Sequence, residues 1–295
     1  MRYAGSVPTI LTRPDKLLWP EEGVTKRLYL EYIDAVSGHM LPWLRDRPLT
    51  LVRAPDGVGQ HRYFQKDTPR YAPDWIRTVS IHAESAKRTV RYVLCNDRRT
   101  LAWLGNQAAV EFHPSPVRVP RLDRPDLLIF DLDPPRDRYA AVVDVAMVLH
   151  EILEELHLPS GVKTTGSKGF HVVVPLQRRF TQDQVRRAAE RIAAAVVGRA
   201  PDLATTEFRI ADRGERVLVD IWRNAPSQTA VAPYSPRALP EATVSFPLTW
   251  PELPGARISD FRIGNVPELL DLPGPRAWSQ LLTRRARLPT TLTEG

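Results

Sequence analysis

The sequence predicts an α+β fold with mixed or antiparallel sheets flanked by helices, and three observations carry that prediction. Strand signals pair across turns towards both ends of the chain, as in RPLTLVRAPDGVGQHRYFQK, where apolar runs flank Pro-Asp-Gly. Strands and helices alternate mainly in the middle. No repeat, low-complexity tract or clear linker breaks the chain, so the mixture favours one α+β unit over a doubly wound sheet.

The elements follow in order. A helix is predicted over about Thr25–Gly38, because Tyr29, Ile33, Val36 and Met40 fall near one face. The Pro-Asp-Gly hairpin comes next. RTVRYVLCND reads as a strand, and RRTLAWLGNQAA as a short helix leading into VEFHP. LLIFDLDPP, residues 127–135, is an apolar strand stopped by two prolines, which cannot donate to a sheet ladder. YAAVVDVAMVLHEILEEL is a strong helical pattern with an acidic end, and GVKTTGSKGFHVVVPL gives two strands around a Gly-Ser-Lys-Gly turn. Thr181 and Gln184 form a capping-box pair ahead of VRRAAERIAAAVV. RVLVDIW reads as a strand in which Val217, Val219 and Ile221 alternate with Leu218, Asp220 and Trp222. From about Ala232 the density of proline predicts extended structure draped over the core rather than helices.

Composition narrows the class. The 295 residues are 43% hydrophobic and 25% charged, as in an ordinary globular protein. Lysine and arginine number 41 against 34 acids, a net charge of +7, which suits a nucleic-acid partner; an arginine-rich surface explains the same excess. Cys95 is the single cysteine, so an internal disulfide and a cysteine-built zinc site are excluded. The first twelve residues lack a signal-peptide core, and no stretch approaches about 18 continuous apolar residues. A cytoplasmic protein with no membrane partner is expected.

The chemistry starts at LLIFDLDPP. Side chains alternate along a strand, so Asp131 and Asp133 point the same way. Two carboxylates so close repel unless a cation or a proton lies between them. Magnesium and manganese favour such hard oxygen ligands, with phosphate and water completing the shell. Asp220, on a second apolar strand, is the candidate third carboxylate. Three acids can hold two metals, one activating an attacking oxygen and the other a leaving pyrophosphate. A turn-capping role remains open for Asp133. A second reading also stands, since FDLDPP resembles the Asp-x-Asp motif of haloacid dehalogenase-type phosphatases, whose first acid attacks phosphate covalently. Against it, Pro134 and Pro135 replace that motif's glycine and threonine, and the motif lies mid-chain.

KTTGSKGFH supplies the next group. A Gly-Ser-Lys-Gly turn offers amides, the Ser167 hydroxyl and the Lys168 ammonium to an anion, with His171 at the start of the following strand. Its spacing is not that of a P-loop. Arg237, in APYSPR, is a fork-shaped donor suited to a triphosphate, though a surface ion pair would also explain it. His113, in EFHPS, has the same two readings.

Together, LIFDLDPP, VKTTGSKGFHVVVPL, RVLVDIWRN and TAVAPYSPRA, in this order, closely resemble the polymerase domain of bacterial ATP-dependent DNA ligase D, of the archaeo-eukaryotic primase superfamily. DKLLWPEEGVTKRLYLEYI, YFQKDTP and TLAWLGNQAAVEFHP fit as well, so the resemblance runs from about residue 10 to about 260. No ligase or nuclease segment accompanies it, which suggests a stand-alone or excised module.

The resemblance implies one primase-polymerase domain over 1–295, with a DNA-end-binding part to about residue 120, a catalytic core to about 260 and a tail packed on that core. It implies templated nucleotidyl transfer in nonhomologous end joining, by primer extension and filling of gaps or ends. Two Mn2+ or Mg2+ ions serve as cofactors, and NTP or dNTP as substrate. Asp131, Asp133 and Asp220 match the metal-binding catalytic acids. Ser167, Lys168, His171, His113 and Arg237 match positions that bind the incoming nucleotide. Lys16 and Lys26 match lysines that grip a 5′-phosphate at a gap or break, and Phe64 matches an aromatic that stacks on the template. Thr165 stands where the family often has serine, and Arg223 where some relatives have glutamine near the nucleotide. The implied partners are DNA with 5′-phosphorylated gaps or ends, Ku and a separate ATP-dependent DNA ligase, with the protein itself a monomer. The phosphatase reading and a catalytically silent DNA-end-binding scaffold remain as alternatives.

Overall fold

A computed structural model describes residues 11–83, 87–135 and 138–294. The chain divides into two compact units. One comprises Met1–Ser115, Thr229–Ser245 and Phe261–Leu270; the other comprises Pro116–Gln228, Phe246–Asp260 and Asp271–Gly295. Among the described residues no helix is long and apolar enough to cross a membrane.

In the first unit, β1 (Leu17–Trp19) pairs antiparallel with β2 (Val24–Thr25). Helix α1 (Lys26–Leu44) then starts on Thr25, whose hydroxyl accepts the Leu28 N–H. Tyr29, Ile33, Val36 and Met40 are all buried, as their spacing predicts. The helix outruns the predicted boundary by six residues and tolerates Pro42 near its end. The predicted hairpin is β3 (Leu49–Arg53) with β4 (Tyr63–Gln65). β5 (Thr78–Ala83) pairs with β6 (Arg88–Val93). Helix α2 (Arg98–Asn106), capped by Asp97, packs on α1 and leads into β7 (Ala109–Pro114). β7 completes a sheet of order β4-β3-β7.

The second unit is built on β8 (Leu127–Asp133), α3 (Tyr139–Glu155), β9 (Gly161–Thr164), β10 (Phe170–Pro175), α4 (Gln182–Arg199), β11 (Ala204–Thr205), the single turn α5 (Ile210–Arg213) and β12 (Val217–Asp220). With β13 (Pro247–Leu248) the strands form one sheet of order β11-β12-β8-β10-β9-β13, antiparallel except for β11–β12. Helices α3 and α4 pack on each other and on β8. The Thr181–Gln184 capping box forms as expected. The α+β class is therefore the observed one.

Two expectations need correction. β12 is shorter than RVLVDIW, because the backbone leaves the extended region at Ile221 and makes a 3-10 turn over Trp222–Asn224. The tail also carries helices, α6 (Pro273–Leu281) and the short α7 (Thr290–Thr293). Pro273 and Pro275 do not prevent α6, because a first-turn N–H has no helical partner to lose. Trp278 and Leu281 then bury the helix's apolar side, with the Trp278 Nε1–H donating to the Val162 and Leu248 carbonyls.

The chain's departure from β12 has a physical cause in Asn224. Its side chain accepts the Ile129 N–H (2.9 Å) and donates to the Ile129 carbonyl (2.7 Å) and the Ile221 carbonyl (2.8 Å). It thus supplies β8 with the ladder bonds that a longer β12 would have made. Asn224→Ala leaves buried backbone groups unpaired, and a loss of about 2–4 kcal/mol in unfolding free energy is expected in urea titrations.

Candidate active site

Register places the chemistry of the second unit in one cross-strand row. Asp220 on β12 lies opposite Asp131 on β8, Asp131 lies opposite His171 on β10, and His171 lies opposite Lys163 on β9. Asp133 follows two residues along β8 on the same face as Asp131. Ligand oxygens of Asp131, Asp133 and Asp220 all lie within 4.8 Å of one another. Asp131 and Asp220 are buried and Asp133 is half-buried. The sequence-predicted triad is therefore assembled, with His171 beside it.

Asp131 is the centre of the cluster. Its Oδ1 lies 3.3 Å from His171 Nε2, while its Oδ2 accepts from Arg223 Nε at 2.9 Å and lies 2.9 Å from Arg223 Nη2. Burial alone would raise this carboxyl, but the neighbouring His171 and Arg223 hold it well below the usual carboxylate range. Burial pushes the His171 imidazole down to about 4, Lys163 adds to the effect, and Asp131 opposes it. Arg223, whose charge the three acids reinforce, is the permanent cation on Asp131. Asp133 shows the opposite balance, pushed up to about 6 by burial and by the charges of Asp131 and Asp220. Asp220 is also raised, chiefly by burial, although its Oδ1 accepts the Trp222 N–H at 2.7 Å. Such a cluster of hard, mutually repelling oxygens fits a divalent cation, which neutralises what the protein itself leaves in conflict.

The turn after β9 sits against the end of β8. Gly166 has φ +68°, a left-handed conformation that glycine adopts without strain. The Thr165 hydroxyl accepts the amides of Ser167 (3.2 Å) and Gly169 (3.3 Å), so both amides are turned inward. The anion-binding capacity expected of this turn therefore rests more on the Ser167 hydroxyl and the exposed Lys168 ammonium than on a ring of amides.

The remaining predicted residues belong to the first unit. Glu111, not singled out from sequence, joins two of them. Its Oε2 lies 2.7 Å from His113 Nε2, and its Oε1 lies 3.2 Å from Arg237 Nε and accepts the Ala238 N–H at 2.8 Å. Burial would raise Glu111, but His113, Arg237 and that amide bring it down to about 2. Glu111 and His113 are i and i+2 on β7, a same-face pair visible in VEFHP. Phe64, 71% exposed, is edge-on to His113 with ring centroids 6.3 Å apart. Lys16 pairs with Asp56 at 2.7 Å. Lys26 is buried, and its Nζ donates to the Thr12 carbonyl and hydroxyl at 2.8 and 2.9 Å. Burial and the nearby charges of Lys16, Arg13 and Arg53 lower Lys26 to about 8, so this corner concentrates positive charge.

The chain is similar to known proteins. A family model described as "LigD, primase-polymerase domain" matches residues 25–275. The chain is 34% identical over 244 residues to the Bifunctional non-homologous end joining protein LigD of Bacillus subtilis, which covers 82% of this chain and 39% of that protein. It is 32% identical over 264 residues to the Multifunctional non-homologous end joining protein LigD of Mycolicibacterium smegmatis, covering 88% of this chain and 34% of the relative. The chain thus spans between a third and two-fifths of the length of these relatives. A solved structure, the polymerase domain from Mycobacterium tuberculosis ligase D in complex with DNA, superposes with a TM-score of 0.86 at 31% identity, covering 92% of this chain and 98% of the other. An acid triad on adjoining strands, the Gly-Ser-Lys-Gly turn and these likenesses agree: the chain belongs to the LigD primase-polymerase domain family.

Proposed function

We propose that this chain is a template-directed nucleotidyltransferase that extends primers and fills gaps or ends during nonhomologous end joining. The observation that carries the reading is the buried cluster of Asp131, Asp133 and Asp220 in a member of this family. These three residues would hold Mn2+ or Mg2+, and the ions would supply charge neutralisation at the phosphates together with a more acidic primer hydroxyl.

The chain's own groups do the rest by positioning. Asp131 is fixed in the sheet between two strands, so its carboxylate is preorganised. Ser167 and Lys168 bind the phosphate end of the incoming nucleotide, and His171, its Nε2 3.3 Å from Asp131 Oδ1, holds that acid in place and reaches a nucleotide phosphate through its other ring nitrogen when both nitrogens carry protons. Glu111 orients His113 and Arg237, the second pair of nucleotide-binding residues. Lys16 and Lys26 receive a 5′-phosphate, and Phe64 stacks on a template base. The first unit thereby engages the DNA end while the second holds the acids. Ku and an ATP-dependent DNA ligase are the protein partners we propose for this role.

The test is incubation of a gapped, 5′-phosphorylated duplex with each NTP or dNTP and Mn2+. Extension only by the template-matched nucleotide is expected. DNA binding without extension would instead favour a scaffold, and phosphate release from small phosphoesters without template would favour a phosphatase.

Lys26 adds a pH signature. It carries its charge below about 8 and loses it above. The affinity advantage of a 5′-phosphate end over a 5′-hydroxyl end is therefore expected to shrink as pH rises through that value, because the lysine charge disappears while the phosphate stays ionised. A fluorescence-anisotropy titration of both ends across pH measures it. An advantage independent of pH would remove Lys26 from the phosphate site.

A further inference from the structure

Arg223 occupies one of the two Asp131 oxygens that could serve a metal. Both Nε and Nη2 lie 2.9 Å from the same Asp131 oxygen, Oδ2, while the other oxygen faces His171 Nε2. Asp131 is 3% exposed, so its carboxylate offers little further surface to an incoming ligand. A divalent ion bound at about 2.0–2.2 Å from Oδ2 would sit next to a guanidinium held by that same oxygen, and two cations on one oxygen repel.

The backbone beside Arg223 is pinned, since Asn224 makes three hydrogen bonds to the Ile129 and Ile221 backbone. The Arg223 side chain, by contrast, is 37% exposed and long enough to turn out towards solvent. The acids and their resident cation therefore form an exchangeable pair on a rigid base.

We infer that Arg223 is a built-in counter-cation of the acid triad, competing with a divalent metal for Asp131 Oδ2 and so weakening the site's intrinsic metal affinity. The inference rests on the reading of the triad as a metal site. Its consequence is that metal enters by exchange: the ion takes Oδ2 and the guanidinium swings away, with no covalent change in the protein.

The experiment is calorimetric titration of the full chain with MnCl2 alone, without nucleotide or DNA, for the parent, R223Q, R223K and D133N. R223Q removes the competing charge and is expected to bind Mn2+ roughly tenfold more tightly than the parent. R223K keeps the charge but loses the two-pronged contact, so its affinity should fall between them. The rise in melting temperature on adding MnCl2 should follow the same order, which gives a second readout should R223Q be less stable without metal. R223Q and R223K affinities equal to or weaker than the parent's, with D133N abolishing binding, would overturn the role of Arg223 while leaving the metal site intact. Absence of Mn2+ binding in every protein would overturn both readings.

Discussion

Asp131→Ala is expected to lower templated extension by at least about 10³-fold, the scale on which removal of a preorganised electrostatic group acts. Asp131 is the acid that sits opposite both Asp220 and His171 in the sheet. The fold should tolerate the change. Repulsion within the triad falls, and the Arg223 guanidinium, already partly exposed, can hydrate. Circular dichroism and the affinity for 5′-phosphorylated DNA should therefore stay close to the parent's, because Lys16, Lys26 and Phe64 belong to the other unit. Single-turnover extension measures the effect, and a rate within tenfold of the parent would contradict the catalytic assignment.

A large effect on stability, coupled to loss of activity, is expected at Gly169. A Cβ there would lie 1.8 Å from the Leu132 carbonyl oxygen and 3.1 Å from Pro134 Cδ. The first contact is with backbone on β8, between the two acids of the FDLD sequence, so neither side can yield by rotating a side chain. Gly169→Ala must displace either the turn carrying Ser167 and Lys168 or the strand carrying Asp131 and Asp133. A destabilisation of about 3 kcal/mol is expected, at the upper end for overpacking. It should appear as a lower urea midpoint with an unchanged slope. Extension should be lost even at temperatures where the variant is folded. An unfolding free energy within about 1 kcal/mol of the parent's would show that the close approach is not needed.

These two residues illustrate what could be read from the chain. The shared face of Asp131 and Asp133 follows from strand periodicity, and the run ahead of them is apolar enough to mark the strand. Asp220 was visible as an acid on another strand, but its place opposite Asp131 depends on β12 pairing with β8 across more than eighty residues of chain. Arg223 lay in plain view three residues further on, yet its contact with Asp131 exists only because β12 stops early and Asn224 takes over the ladder bonds of Ile129. That is a tertiary event with no local signal. Lys163 is similar: a lysine in a short apolar strand says little until register sets it beside His171. Glu111 differs, because its i, i+2 relation to His113 is itself a local signal in VEFHP. In the tail, counting prolines misled where their positions mattered, since those of α6 stand in its first turn.

The proposed chemistry turns on Asp131, Asp133 and Asp220 together holding divalent metal at the point of nucleotidyl transfer. Anomalous scattering from crystals soaked with MnCl2 and a non-hydrolysable NTP analogue tests it most directly. Manganese peaks bonded to oxygens of all three acids are expected, with the analogue's phosphates completing the shell and the Arg223 guanidinium off Asp131 Oδ2. Manganese bound elsewhere, or a triad still closed by Arg223 with nucleotide present, would contradict it.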